Sequence, residues 1–161
     1  MLDAWPLTAL VAGLFSNEPT TSRGTRERLI ELCRAGAVRL DPSHIETLFR
    51  AISTAAELLT TGPVLAETFH HLERASRDDF GAVLDWTRSR FEKLRVVEVE
   101  WPDILAHTAA ARFGLTDASV IALTQRLPGS ALLLQDGKLH DFCVRHRVRA
   151  MSCLEIVGWR I

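Results

Sequence analysis

A short apolar run that ends in an acid constrains the fold of this chain most strongly. Residues 131–135 (Ala-Leu-Leu-Leu-Gln) are followed by Asp136 and Gly137. A short run that is apolar throughout is typical of a strand buried on both faces of a parallel sheet, and Gly137 allows the chain to turn after it. Asp136 is therefore predicted to lie at the carboxyl end of a strand, where open α/β sheets place their ligand sites.

A second acid, Asp117, lies at the predicted start of a helix. Thr116 is positioned to cap this helix, and apolar residues 120, 121 and 123 follow with helical spacing. An acid at a helix N-terminus and an acid at the end of a neighbouring strand point into the same crevice of an α/β sheet. We therefore expect Asp117 and Asp136 to lie together.

The rest of the chain alternates between short strands and helices. The predicted strands are a very short one at 1–3, and others at 58–61, 96–99, 131–135 and 148–151. The first three predicted helices begin at Pro6, at Thr25 (ending at Ala35 with Gly36 as its cap) and at Asp41-Pro42 (to about Glu57). The next two begin at Val64 (to Arg74) and at a Ser76/Asp79 capping box (to about Leu94). The last two begin at Pro102 (to Gly114, with Ile104, Leu105 and Ala109 inward) and at Lys138 (to about His146). This alternation predicts an α/β fold with a mainly parallel sheet.

The composition narrows the class of protein. With 161 residues, 47% of them hydrophobic and 24% charged, residues 1–161 are expected to form a single globular domain. No apolar run is long enough to span a bilayer and no basic segment opens a signal peptide, so we expect no membrane association. Cys33, Cys143 and Cys153 lack metal-type spacing, which favours reduced thiols in a cytoplasmic protein.

A net charge of -1 excludes a protein coated in positive charge but leaves room for a local basic strip. The basic residues concentrate near the C-terminus: Lys138, His140, Arg145, His146, Arg147 and Arg149. A solvated face is the simpler interpretation, and a strip that contacts phosphates is the alternative.

Asp3, Glu67, Asp117 and Asp136 each lie at the end of a predicted strand or in the opening turns of a predicted helix. If they converge, like charges about 4 Å apart repel by ~4 kcal/mol per pair at an effective dielectric near 20. Such a cluster must take up protons or bind a cation, and oxygen ligands favour Mg²⁺ or Mn²⁺ over zinc. A hard divalent ion in an acidic cleft is typical of phosphoryl chemistry.

Each of these residues also has a simpler interpretation. Asp117 could be an acid favoured by the helix dipole, and Asp136 could be a turn former. Asp3 could be a terminal charge, and Glu57 and Glu73 are nearby alternatives to Glu67 for the second acid of the site.

Other polar and aromatic residues are weaker candidates. His70 and His71 are adjacent on a helix and point in different directions, which argues against one shared ion. His107 and Arg112 are expected on a solvated face, with pairing of Arg112 to substrate or an acid as the alternative. The four tryptophans, Trp5, Trp86, Trp101 and Trp159, are expected in the core or an interface.

Taken in order, the segments around the four acids resemble the motifs of PIN domains, and among them the VapC-type ribonuclease toxins. The matching segments are 2–10 (Leu-Asp-Ala-Trp-Pro-Leu-Thr-Ala-Leu), 61–72 (Thr-Gly-Pro-Val-Leu-Ala-Glu-Thr-Phe-His-His-Leu), 110–123 (Ala-Ala-Arg-Phe-Gly-Leu-Thr-Asp-Ala-Ser-Val-Ile-Ala-Leu) and 132–139 (Leu-Leu-Leu-Gln-Asp-Gly-Lys-Leu). The resemblance implies a three-layer α/β/α fold around a mainly parallel central sheet, with Asp3, Glu67, Asp117 and Asp136 as catalytic metal ligands. It also implies a Mg²⁺ or Mn²⁺ cofactor, endonucleolytic cleavage of RNA, a homodimer and an inhibiting antitoxin protein.

The sequence departs from the family pattern in three places. Leu134 stands where a hydroxyl residue is usual, Trp5 stands where a small polar residue is frequent, and residues 17–57 form an enlarged helical segment between the first two motifs. Two alternatives to a toxin therefore stay open. One is a catalytically weakened RNA- or protein-binding module, and the other is a solitary RNA-processing nuclease.

Overall fold

The computed structural model describes residues 1–35 and 39–158 as an α/β protein. The helices are α1 (Ala4–Phe15), α2 (Arg23–Ala35), α3 (Pro42–Ser53), α4 (Gly62–Ser76), α5 (Phe80–Arg90), α6 (Trp101–Ala106), α7 (Ala110–Phe113), α8 (Leu115–Arg126), α9 (Gly137–Arg145) and α10 (Cys153–Val157). The strands are β1 (Leu58–Thr60), β2 (Leu94–Val96), β3 (Leu132–Leu134) and β4 (Ala150–Ser152).

The strands form two short parallel pairs, and residues 1–3 hydrogen-bond to one strand of each pair. β1 pairs with β2, and β3 pairs with β4. The Leu2 amide donates to the Leu59 carbonyl at 2.8 Å, and the Asp3 amide donates to the Leu133 carbonyl at 3.1 Å. The segment 1–3 therefore lies between β1 and β3, which places Asp3 beside the carboxyl ends of both strands. The predicted α/β fold with parallel strands is confirmed, whereas a three-layer arrangement around one central sheet stays a prediction.

The core explains why these elements form where they do. All three leucines of β3 are buried, as expected for a strand covered on both faces. Helix α1 is buried around most of its circumference and contacts α2, α3 and α4. Its Gly13 lies against Ile45 of α3, where an added Cβ would come within 2.8 Å of the Ile45 Cγ1 atom. Only a residue without a side chain allows this approach of α1 to α3.

The enlarged helical segment between the first two motifs consists of α2 and α3. Both helices pack against α1, and their contacting side chains include Leu29, Ile45 and Leu48, which are buried. At the start of α3, the Asp41 amide donates to the Nδ1 atom of His44, which agrees with the predicted helix start at Asp41-Pro42. The predicted cap of α2 at Gly36 lies outside the described residues.

Several predicted helix boundaries are wrong. The helix expected from Pro102 to Gly114 is broken into α6 and α7 at His107, because the His107 Nδ1 atom accepts from the Ala109 amide at 3.1 Å and turns the chain there. Leu105, predicted to face inward, is 63% exposed. Strand β2 begins two residues earlier than predicted, at Leu94, and β4 begins two residues later, at Ala150.

Two predicted capping interactions are also wrong. Ser76 does not open a capping box, since its hydroxyl donates back to the Leu72 carbonyl at 2.7 Å. Thr116 does not cap α8, because the helix already begins at Leu115. In the part of the chain that is described, no helix has the length and apolar character needed to cross a bilayer.

Candidate functional site

Asp3 is a buried carboxyl at the carboxyl ends of β1 and β3. It is 4% exposed, and its Oδ1 atom has no hydrogen-bond partner in the structure. The pKa of Asp3 is raised to about 8. Burial is the largest cause, and the negative charges of Asp117, Glu67 and Asp136 contribute to the rise. Asp3 therefore holds a proton near neutral pH unless a positive charge approaches it.

Asp117 lies half-buried in the first turn of α8. Burial raises its pKa to about 7, and the charges of Glu67 and Asp136 contribute. Because both Asp3 and Asp117 respond to Glu67 and Asp136, the structure brings all four predicted residues into electrostatic range of one another. Their place in the fold follows from the topology, since they lie in or just after 1–3, α4, α8 and β3.

The carboxylates of Glu67 and Asp136 are turned toward partners within their own helices. The Glu67 Oε1 atom lies 3.9 Å from the Nε2 atom of His71, one helical turn further along α4. The Asp136 Oδ1 atom accepts from the Lys138 amide at 2.7 Å and from the Leu139 amide at 3.3 Å, so Asp136 caps α9. Across residues 1–35 and 39–158, no group of three or more histidine, cysteine, aspartate or glutamate side chains is arranged closely enough to hold a metal ion. The four acids are thus close enough for their charges to interact, but their oxygens are not arranged as a set of metal ligands.

A buried pair of hydroxyls, which sequence reasoning missed, joins the two helices that carry Glu67 and Asp117. The Thr61 and Ser119 hydroxyl oxygens are 2.7 Å apart, and neither residue is exposed. Ser119 donates its own proton to the Thr116 carbonyl at 2.7 Å, so Thr61 is the donor to Ser119. The sequence pattern that could have indicated this pair is a hydroxyl just before the Gly62-Pro63 break and another two residues after Asp117.

An aromatic pair lies next to the acids. Trp5 stacks on His71, with ring centroids 5.0 Å apart and planes inclined by 25°. Trp5, predicted to lie in the core or an interface, is half-buried and lines a groove. His70 is exposed, and only His71 of this pair approaches Glu67, which agrees with the expectation that the two rings do not face one ion.

The other weaker candidates have local partners. The Nε2 atom of His107 lies 3.2 Å from the Gln125 Oε1 atom, which gives His107 a structural role. The Arg112 guanidinium lies 5.0 Å from the centre of the Phe113 ring rather than against an acid. Trp86 donates to Glu18 at 2.8 Å. Trp101 is 58% exposed, so it does not lie in the core, and the predicted interface position stays a prediction. Trp159 lies outside the described residues.

The basic residues near the C-terminus are largely solvated. Lys138, Arg145, Arg147 and Arg149 are exposed, and no ion pair joins them to another described residue. Lys138 follows Asp136 by two residues, so α9 begins with a cation beside the acids. The simpler prediction of a solvated face agrees with this exposure, and contact with phosphates stays a prediction.

The three cysteines are free and buried, as predicted for reduced thiols. Burial raises the pKa of Cys143 to about 11, and the charges of Asp3 and Asp117 act in the same direction. Burial and then Asp3 raise the pKa of Cys153 to about 12. These two thiols therefore lie near the acids as protonated, neutral side chains.

A cavity of about 720 Å³ lies at the other end of the strands, away from the acids. It is lined mainly by apolar groups, including Leu58 at the start of β1, Ala131 just before β3 and Met1. The Met1 amino group donates to the Ala131 carbonyl at 2.8 Å there. The acidic site and this cavity are thus separate features at opposite strand ends.

A scan against models of known protein families, and searches of curated proteins and of solved structures, found no match to this chain.

Proposed function

We propose that this chain is a Mg²⁺- or Mn²⁺-dependent endoribonuclease with a PIN-like three-layer α/β/α fold. The observation that supports this most directly is the buried Asp3 carboxyl, with an unpartnered oxygen, in electrostatic range of three further acids. The motif order that resembles PIN domains supports the same proposal. Both the electrostatics and the resemblance point to the same four residues.

The residues present fit a hard cation in their chemistry. A buried carboxylate without compensation is costly, so Asp3 stays protonated or takes a cation as its partner. Asp3 and Asp117 offer carboxylate oxygens to an ion of the Mg²⁺ class, and Glu67 and Asp136 would join by leaving His71 and the α9 amides. A bound ion of this class activates water and stabilises a leaving oxygen.

The chain's own groups would position the RNA and the acids. Lys138 at the start of α9 and the exposed arginines after it would contact phosphates, which fixes the register of the strand without reading its sequence. The Thr61–Ser119 hydrogen bond holds α4 and α8 together, so Glu67 and Asp117 keep their separation. We further propose a cytoplasmic homodimer and a cognate antitoxin protein as partners, on the resemblance alone.

A second candidate function is a PIN-like module that binds RNA or protein without cutting it. The orientations of Glu67 and Asp136, together with the apolar Leu134 buried before Asp136, favour it. A calorimetric titration with Mn²⁺ separates the two candidates, because the nuclease requires uptake of the ion at the acids and the binding module does not.

The nuclease is tested by incubating the full chain and its Asp117→Asn variant with single-stranded RNA and Mn²⁺. We expect the variant to cleave about a hundredfold more slowly or worse, because an amide cannot supply the negative charge. The matched control is Asp85→Asn on the exposed face of α5, which should cleave like the unaltered chain. Equal cleavage by all three proteins, or by none of them, would count against the proposal. A small neighbouring reading frame for a DNA-binding protein would support the toxin role, and an isolated gene would support a solitary nuclease.

A further inference from the structure

A groove of about 380 Å³ lies between α1, α2 and α4, and we call it the side groove. Its lining residues are Trp5, Arg28, Glu31, Leu32, Ala35, His71, Arg74 and Ala75. Its volume falls within the range of about 300–1,000 Å³ that is typical of small-ligand sites. Among the lining residues His71 contacts Glu67, and the other lining residues need a separate explanation.

The side groove starts one helical turn from the proposed cleavage site. Glu67, His71 and Arg74 follow one another on α4 at spacings of four and three residues, which places them along one face of the helix. His71 contacts Glu67 on one side and Trp5 on the other. A strand of RNA that passes the acids along α4 would therefore reach the groove within the next nucleotides.

One wall of the side groove is aromatic. Trp5 and His71 stack on each other and both line the groove, and aromatic rings are the groups on which nucleic-acid bases stack in proteins that bind single strands. Trp5, two places after Asp3, is also one of the residues that depart from the PIN pattern. A stacking surface next to the acids gives that departure a function.

The opposite charges on the walls narrow the choice of base. Arg74 and Glu31 are exposed, and neither forms an ion pair with another described residue. Arg28 is held in place instead, because its Nε atom donates to the Ala75 carbonyl at 2.7 Å and its terminal nitrogen donates to the Thr25 hydroxyl at 3.2 Å. The groove thus combines Arg28, which is held in place, with an arginine and a carboxylate that have no ion pair within residues 1–35 and 39–158.

We propose that the side groove binds a guanine base of the RNA strand next to the cleaved bond, which rests on the proposed ribonuclease function. Guanine presents the acceptors O6 and N7, which an arginine fork matches with two hydrogen bonds. It also carries the exocyclic amino donor N2, which the Glu31 carboxylate accepts. Arg74 and Glu31 read the two edges of the base, and the Trp5–His71 pair stacks on its face.

The test measures binding rather than cleavage. Fluorescence anisotropy of uridine hexamers that carry a single guanosine is recorded with the full chain bearing Asp117→Asn, which suppresses turnover. We expect guanosine to bind about tenfold more tightly than adenosine, cytidine or uridine at one position of the hexamer. Inosine, which lacks the N2 amino group, should lose most of this advantage with Glu31 present and should equal guanosine in a Glu31→Met variant, whose side chain offers no acceptor oxygen.

Substitutions in the groove complete the test. Trp5→Leu should weaken binding about tenfold through lost stacking, and Arg74→Met should abolish the preference for guanosine. The matched control is Arg88→Met, an exposed arginine on α5 away from the groove, which should keep the preference. Arg74 lies on the surface, so its variant reports on the groove even if Trp5→Leu fails to fold.

The outcomes separate this inference from the proposed function. Cleavage by the unaltered chain without any base preference, and with no effect of Arg74→Met, would overturn the guanine site and leave the nuclease standing. Guanosine-selective binding without cleavage in any condition would support the groove and overturn the nuclease. Guanosine monophosphate that binds as tightly as the hexamer would overturn an RNA site, because it would make the groove a site for free nucleotides.

Discussion

Replacing Asp117 by asparagine should stabilise the folded chain at alkaline pH, even though the same change should destroy cleavage. The pKa of Asp117 is about 7 in the folded chain against an ordinary value of 3.8. The folded chain therefore binds more protons than the unfolded chain between these two pH values. Because of this difference, the free energy of unfolding falls as the pH rises through that window, and the full loss is present above pH 7.

The magnitude follows from the same two values. A difference of about three pH units at about 1.4 kcal/mol each gives roughly 4 kcal/mol. Asp117 is only half-buried, and solvent screening reduces this figure, so we expect about 2 kcal/mol. Asparagine has nearly the same shape and no charge to remove from water. The Asp117→Asn variant should therefore be about 2 kcal/mol more stable than the unaltered chain at pH 8, and most of this gain should disappear near pH 4.

Urea denaturation at pH 4 and pH 8, in the presence of a chelator, measures this difference directly. The control is Asp85→Asn, whose effect should stay within about 0.5 kcal/mol at both pH values because Asp85 is exposed. A gain in the Asp117→Asn variant that does not depend on pH would refute the electrostatic reasoning. So would a variant that is less stable than the unaltered chain at pH 8.

Two further predictions concern the core. Gly13→Ala should lower the free energy of unfolding by about 1–3 kcal/mol, because the new methyl group overlaps Ile45. Urea denaturation should show this loss. The control Gly81→Ala, at an open position on α5, should not show it. The folded chain should react with a thiol-specific disulfide reagent at pH 8 far more slowly than the urea-unfolded chain, since burial raises the pKa of Cys33 to about 12 and keeps Cys143 and Cys153 protonated as well. Rapid labelling of any of these cysteines in the folded chain would contradict the burial of its thiol.

The sequence predicted the elements that carry strong local patterns. The apolar run at 132–134 indicated a strand covered on both faces, and the Asp41-Pro42 and Gly62-Pro63 pairs indicated where α3 and α4 begin. The break at His107 could not be predicted, because it depends on a single ring nitrogen that accepts from a nearby amide.

The candidate site was predictable in position but not in detail. The topology places the end of 1–3, the ends of β1 and β3 and the start of α8 at one edge. The order of these elements in the chain is therefore enough to predict that the four acids lie near one another. Glu67 turns toward His71, and Asp136 turns toward the amides of Lys138 and Leu139, so each carboxylate has a partner other than a metal ion. The spacing of residues in the sequence does not indicate which partner each carboxylate binds. The side groove was also hidden, because its residues come from three helices that are distant in the sequence.

The hydrogen bonds of residues 1–3 have a consequence for the order of folding. Leu2 and its partner Leu59 are 57 residues apart in the sequence, and Asp3 and its partner Leu133 are 130 apart, so the loops that must close first are long. During synthesis, Asp3 leaves the ribosome long before β3 has been made. Until the last third of the chain is synthesised, Asp3 is solvated and ionised like an ordinary acid. Its burial and its proton uptake are therefore late events, and refolding should be accompanied by a slow consumption of protons near neutral pH.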